Sequence, residues 1–139
     1  MGSWGPGPFE DDSALDFVDD LRELPAEEVA AEIERAVRSV AEETEYVEYA
    51  EGVSAVAAAA LLSGRYREEL GEYPAGVPVP TPELAELALR AVERAHSGGS
   101  HLWELRVESG TYREDWKALA PVRAALLQVA TPTQSDSLF

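Results

Sequence analysis

The fold turns on the run Glu51-Gly52-Val53-Ser54-Ala55-Val56-Ala57-Ala58-Ala59-Ala60-Leu61-Leu62-Ser63-Gly64. Gly52 to Gly64 is an uncharged stretch of 13 residues in which alanine is the commonest, well short of the ~20 apolar residues that cross a bilayer. A helix that is apolar on all sides belongs in the middle of a bundle, because no face of it suits water. Its small side chains let neighbouring helices approach closely. Gly64 supplies the left-handed residue on which helices commonly end. This stretch predicts a central helix with the rest of the chain wrapped around it.

Upstream, Asp11 or Asp12 is a good N-cap for a first helix running to Leu24. Ala14, Phe17, Val18, Leu21 and Leu24 fall on one face of it, and Asp12, Asp16, Asp19, Asp20 and Glu23 on the other. Pro25 with Glu27 and Glu28 opens a second helix to about Glu43, with Val29, Ile33, Val37 and Val40 as its buried stripe. Ahead of both, Trp4 and Phe9 bracket Gly5-Pro6-Gly7-Pro8, which reads as a stiff extended hook.

Downstream, residues 65–81 carry Gly71, Pro74, Gly76, Pro78 and Pro80 and read as the longest irregular connection. Thr81-Pro82-Glu83 is a strong helix start, followed by the inner stripe Leu84, Leu87, Ala88, Ala91, Val92 and Ala95. Residues 101–108 alternate as a strand would, but a lone strand has no partner here, so a short helix is favoured. Thr111 and Glu114 fit a capping box opening a last helix, which Pro121 should kink. Its inward face is Trp116, Leu119, Val122, Leu126 and Leu127. The expectation is an all-α, compact single-domain bundle of five or six helices over residues 1–130, with a flexible tail at 131–139.

Charge is the strongest global signal. The net charge of −16 is concentrated in residues 1–51, where 16 acids stand against Arg22, Arg35 and Arg38. Such a surface repels phosphate backbones and anionic lipid, so neither nucleic acid nor membrane is expected as a partner. It favours a basic protein; the plainer alternative is a solvated face that keeps the chain soluble. The absence of cysteine rules out disulfides, thiolate catalysis and cysteine-based zinc sites. With no basic segment leading into an apolar one, no secretory signal is expected and the cytoplasm is the default location.

Catalytic patterns are weak. His96 and His101 flank a Gly-Gly turn without a metal-ligand spacing. The serines stand in no nucleophile elbow, and 27 carboxylates make any single acid pair uninformative. The five carboxylates of the first helix could attract Mg²⁺ or Ca²⁺, but side chains along one straight helix diverge and no EF-hand pattern is present. No catalytic residue, metal ligand or cofactor is assigned.

The opening Met1-Gly2-x-Trp4-Gly5-x-Gly7-x-Phe9-x-x-Asp12-x-Ala14-x-Asp16-Phe17 resembles the bacterial family known as domain of unknown function 4259. An alanine-rich helix closed by Gly, like residues 52–64, follows in that family. The resemblance marks Trp4, Gly5, Gly7, Phe9, Asp12 and Asp16 as the motif and implies no reaction. Members often carry Asn at the position of Asp11. A structural account of the motif has the aromatics pinning the N-terminus to the core while Asp12 caps the helix. The favoured functional expectation is a non-enzymatic, protein-binding module, for instance an immunity-type protein, whose face of Asp16, Asp19, Asp20 and Glu23 meets a basic partner. The alternatives are a metal-dependent hydrolase or small-ligand binder built on the N-terminal carboxylates, and a structural domain with a solvated acidic face.

Overall fold

A computed structural model describes residues 5–131. Eight helices follow one another: α1 (Asp12–Glu23), α2 (Ala26–Ala41), α3 (Tyr49–Ser63), α4 (Arg67–Leu70), α5 (Pro82–Ala95), α6 (His101–Ser109), α7 (Tyr112–Ala118) and α8 (Ala120–Ala130). The chain is all-α as expected, with no strand among the described residues. Nor is any helix among them long and apolar enough to cross a membrane. The tail expected at 131–139 lies outside the described residues except for Thr131.

Helix α3 is the axis of the bundle. From Gly52 to Leu62 every residue but Ser54 is buried, and α1, α2, α5, α6 and α8 all pack on it. Its alanines meet a second small-residue row on α5, where Ala85, Ala88, Ala91 and Ala95 are all fully buried. With only methyl groups between them, the two backbones come close, and the bulk of the core is supplied from the flanks. That bulk is Phe17, Val18 and Leu21 of α1, Val29, Ile33, Val37 and Val40 of α2, and Val122 and Leu126 of α8.

The helix count exceeds the five or six expected, for two physical reasons. The irregular segment after Gly64 coils into the single turn α4. It is held there by Arg22, which donates to the carbonyls of Glu72 at 2.6 and 3.0 Å and Leu70 at 3.5 Å. The last helix does not kink at Pro121 but divides at Leu119. An unbroken helix would press the proline ring against the Lys117 carbonyl and leave that acceptor without its donor. The chain instead stops α7 at Ala118 and restarts with Pro121 in the first turn of α8, where no donor is needed.

Other local readings change with it. The Thr111 capping box does not form: Thr111 sits at φ −105°, ψ 7°, and its hydroxyl pairs with Ser109 at 2.8 Å. Leu127, expected inside, is 55 % exposed. Residues 101–109 are helical, and the strand-like signal shrinks to one parallel bridge between Val47 and Ser100. There Val47 donates to Gly99 and His101 donates to Val47, both at 2.9 Å. Arg94 secures the same crossing through the carbonyls of Glu43 at 2.9 Å and Glu45 at 3.1 Å.

Two glycines in the left-handed region separate conformational cost from collision. Gly64 (φ +72°) has open space where a Cβ would stand, whereas a Cβ at Gly76 (φ +92°) would overlap the Ala26 carbonyl. Gly64→Ala should cost about 1–2 kcal/mol, the backbone penalty alone. Gly76→Ala should cost about 3 kcal/mol or more, because the start of α2 must also shift. Urea unfolding of the two variants checks this; equal losses would show that the contact to Ala26 does not matter.

Candidate functional site

Of the six motif residues, Trp4 lies outside the described residues. Gly5 and Gly7 lie against the Glu10 carboxyl, which accepts from the Gly7 N–H at 2.9 Å and closes the hook into a turn. Phe9 is buried and meets the Tyr66 ring edge-on, 5.3 Å between centroids, so the pinning role foreseen for it holds. The capping role does not fall to Asp12, which is exposed. Asp11 is the N-cap, accepting from the Ser13 N–H at 2.8 Å.

Asp11 is only 3 % exposed, and its second carboxylate oxygen accepts the Tyr49 hydroxyl. Around this pair the interior gathers its polar groups. Arg106 of α6 is paired with the buried Asp115 of α7, and Arg106 also bears on the Tyr49 phenol. Burial, reinforced by the Asp11 carboxylate, pushes the Tyr49 phenol up to about 12. Burial likewise raises the Asp115 carboxyl above its ordinary value, with Arg106 opposing it. His96, at the end of α5, is lowered by burial and by the positive charges of Arg106 and Arg123. Its Nδ1 lies 2.9 Å from the Val92 carbonyl, which requires the proton on Nδ1 and leaves Nε2 as the acceptor in the neutral ring.

These groups border a cleft of about 20 Å³ beneath Pro6-Gly7-Pro8, lined on the helix side by Asp11, His96 and the Arg106–Asp115 pair. That volume suits a single water molecule and no organic substrate. The chemistry of the cluster is mutual: a cap, a phenol and an ion pair hold the hook against α3, α6 and α7.

The acidic face stands apart from it. Asp16, Asp19, Asp20 and Glu23 are all exposed on the outside of α1. Arg22 stands among them and pairs with Asp19 at 2.9 Å. Among the described residues no three carboxylate or imidazole side chains converge as metal ligands would. His96 and His101 go to different neighbours: His96 lies 5.5 Å from the Trp116 ring and His101 5.8 Å from that of Tyr49.

Sequence reasoning passed over Tyr49, Arg106 and Asp115. A signal was present for the charged two. Arg106 follows Leu102, the one buried residue of α6, by four positions, and Asp115 precedes buried Leu119 by four. A charge one helical turn from a core position is aimed inward and needs a partner.

Three outcomes follow for this cluster. Asp11→Ala, which removes both the cap and the phenol's acceptor, should lower stability by about 2–3 kcal/mol, while Asp11→Asn should retain most of it because asparagine caps equally well. Arg106→Met or Asp115→Leu alone should cost about 3 kcal/mol, with Arg106→Met/Asp115→Leu recovering more than half of that. Denaturant unfolding of the set measures both; additive losses in the double variant would mean the pair is not coupled. For His96 the folded ring resists protonation. Stability is therefore whole above the ordinary value of 6.5 and falls as pH drops below it. Wild type should lose more stability than His96→Gln between pH 7.5 and pH 5.

No curated protein and no solved structure matches the chain. Residues 2–119 match the family described as domain of unknown function (DUF4259), a span that takes in the hook, Asp11, Tyr49, Arg106 and Asp115. On a match of that extent, the chain belongs to the DUF4259 family.

Proposed function

We propose that this chain is a non-enzymatic, protein-binding module that presents the outer face of α1 and the start of α2 to a basic partner. One observation carries the reading. Asp16, Asp20 and Glu23 are exposed and make no ion pair among the described residues, and Glu27 and Glu28 extend the exposed acidic surface. Elsewhere on α2, arginine and carboxylate are matched: Arg35 with Glu32, and Arg38 with Glu34 at 2.6 Å and Glu42 at 3.2 Å. Self-repulsion on α1 is a standing cost that a basic surface would relieve on contact, while speeding encounter and rejecting acidic competitors. An immunity-type protein that masks a basic toxin is one concrete form. A cytoplasmic setting is part of the proposal, since a chain without cysteine has no use for an oxidising compartment.

The interior polar groups support a non-catalytic role, because each is engaged in holding structure: Asp11 with Ser13 and Tyr49, Arg106 with Asp115, His96 with Val92. The experiment is affinity capture with wild type and with Asp16→Asn/Asp19→Asn/Asp20→Asn/Glu23→Gln as paired baits. It is run at about 50 mM and about 500 mM salt, where the screening length falls to a few ångströms. A basic protein held by wild type at low salt, released at high salt and not held by the variant supports the reading. A partner held equally by both baits overturns it. The variant should melt no lower than wild type, since it sheds like charges.

A further inference from the structure

We propose that the pocket between the end of α5 and helices α6, α7 and α8 binds a small planar aromatic carboxylate, its ring against tryptophan and its charge toward Arg113, Lys117 and Arg123. The site lies away from the acidic face and does not depend on the reading given for that face.

The pocket exists because the last helix divides. With α7 and α8 separate at Leu119, Trp116 and Arg123 come from different helices to form one wall; Trp103 and Tyr112 form another. Trp103 meets Tyr112 edge-on at 5.3 Å, and the Arg123 guanidinium lies 4.0 Å over the Trp116 ring. Both tryptophans are half-buried, so each keeps ring surface at the pocket. The hollow is open to the surface, and its volume, about 520 Å³, falls in the range that small-molecule ligands fill.

Volume alone does not single the pocket out: the hollow bordered by Gly5, Pro6, Thr111 and Glu114 is equally large. The lining does. That hollow contains Glu114 and the already paired Arg106 and Asp115, and offers no aromatic wall. The pocket of α6–α8 has three cationic side chains and no carboxylate, on a chain with 27 acids and 11 basic residues. Arg123 supplies a second, independent sign. Its Nε is buried with no hydrogen-bond partner, while Nη2 reaches only the Trp116 carbonyl at 3.4 Å. The Nε is sealed off from the pocket, so a ligand meets this guanidinium through its Nη atoms, which are engaged only by that one long contact, and a carboxylate is the acceptor that such donors fit best. Aromatic walls and a cationic rim together select a flat ring with an anionic substituent.

The test titrates 1-naphthoate and its neutral isostere 1-naphthamide into the full chain. Calorimetry follows the affinity, and the indole N–H signals of Trp103 and Trp116 follow the place. The carboxylate should bind with a Kd of about 100 µM, a reasonable affinity for so small a ligand, and about tenfold more tightly than the amide. Arg123→Met should erase that preference and Trp103→Leu should weaken both ligands. Lys117→Met, at an exposed position, should reduce the carboxylate's advantage and serves even if the Arg123 variant folds poorly. No saturable binding up to about 10 mM, one hundred times the expected Kd, overturns the proposal. Equal affinity for the two ligands, or signal changes confined to residues outside the pocket, also overturns it.

Discussion

Helix α3 has no side that it can give to water, and the rest of the structure answers that constraint. A helix of alanine, valine and leucine is stable in solution only when other helices enclose it, and five of them do. Because α3 and α5 contribute so many alanines, much of the bulk has to come from α1, α2 and α8, beside Leu61 of α3 and Val92 of α5. Of the three flanking helices, α1 and α2 are strongly amphipathic, with their outer faces left free to carry charge, whereas α8 leaves Leu127 exposed. The central packing thus determines not only the core but also which surfaces are available for anything else.

Enclosure also forces polar groups into the interior at the end of the bundle where the N-terminal hook arrives. The cap of α1 is buried there, so its carboxylate cannot rely on water. The Tyr49 hydroxyl takes the oxygen that the cap leaves free. Arg106 and Asp115 satisfy one another close by. The cluster is best understood as a lock. Removing one member leaves another desolvated, which is why such pairs are costly to break even when they add little net stability.

Two surfaces of the molecule differ in character. Carboxylates dominate α1 and the first turns of α2, whereas the pocket of α6, α7 and α8 is aromatic and cationic. On a chain of net charge −16, the acidic background makes a positive pocket selective: an anion that reaches it finds a local field opposite to that of the surface around it.

The sequence by itself determined the helical class, the central position of residues 52–63, the stripes of α1, α2 and α5, and the acidic outer face of α1. These depend on periodicity and local chemistry, which the linear chain carries in full. It also placed Phe9 in the core. It left the cap open between Asp11 and Asp12, and only the account of the family motif chose Asp12, because the two are equivalent as caps until burial distinguishes them. Only the tertiary structure decided that Asp11, Tyr49, Arg106 and Asp115 meet. Asp11 and Tyr49 lie 38 residues apart in the chain and Arg106 lies farther still from Tyr49, and no local rule links a cap to a distant phenol. Only the tertiary structure decided, too, that α7 and α8 separate rather than bend. Proline forbids the straight helix, but whether the chain kinks or restarts depends on what Leu119 and Val122 can bury against α3 and α5.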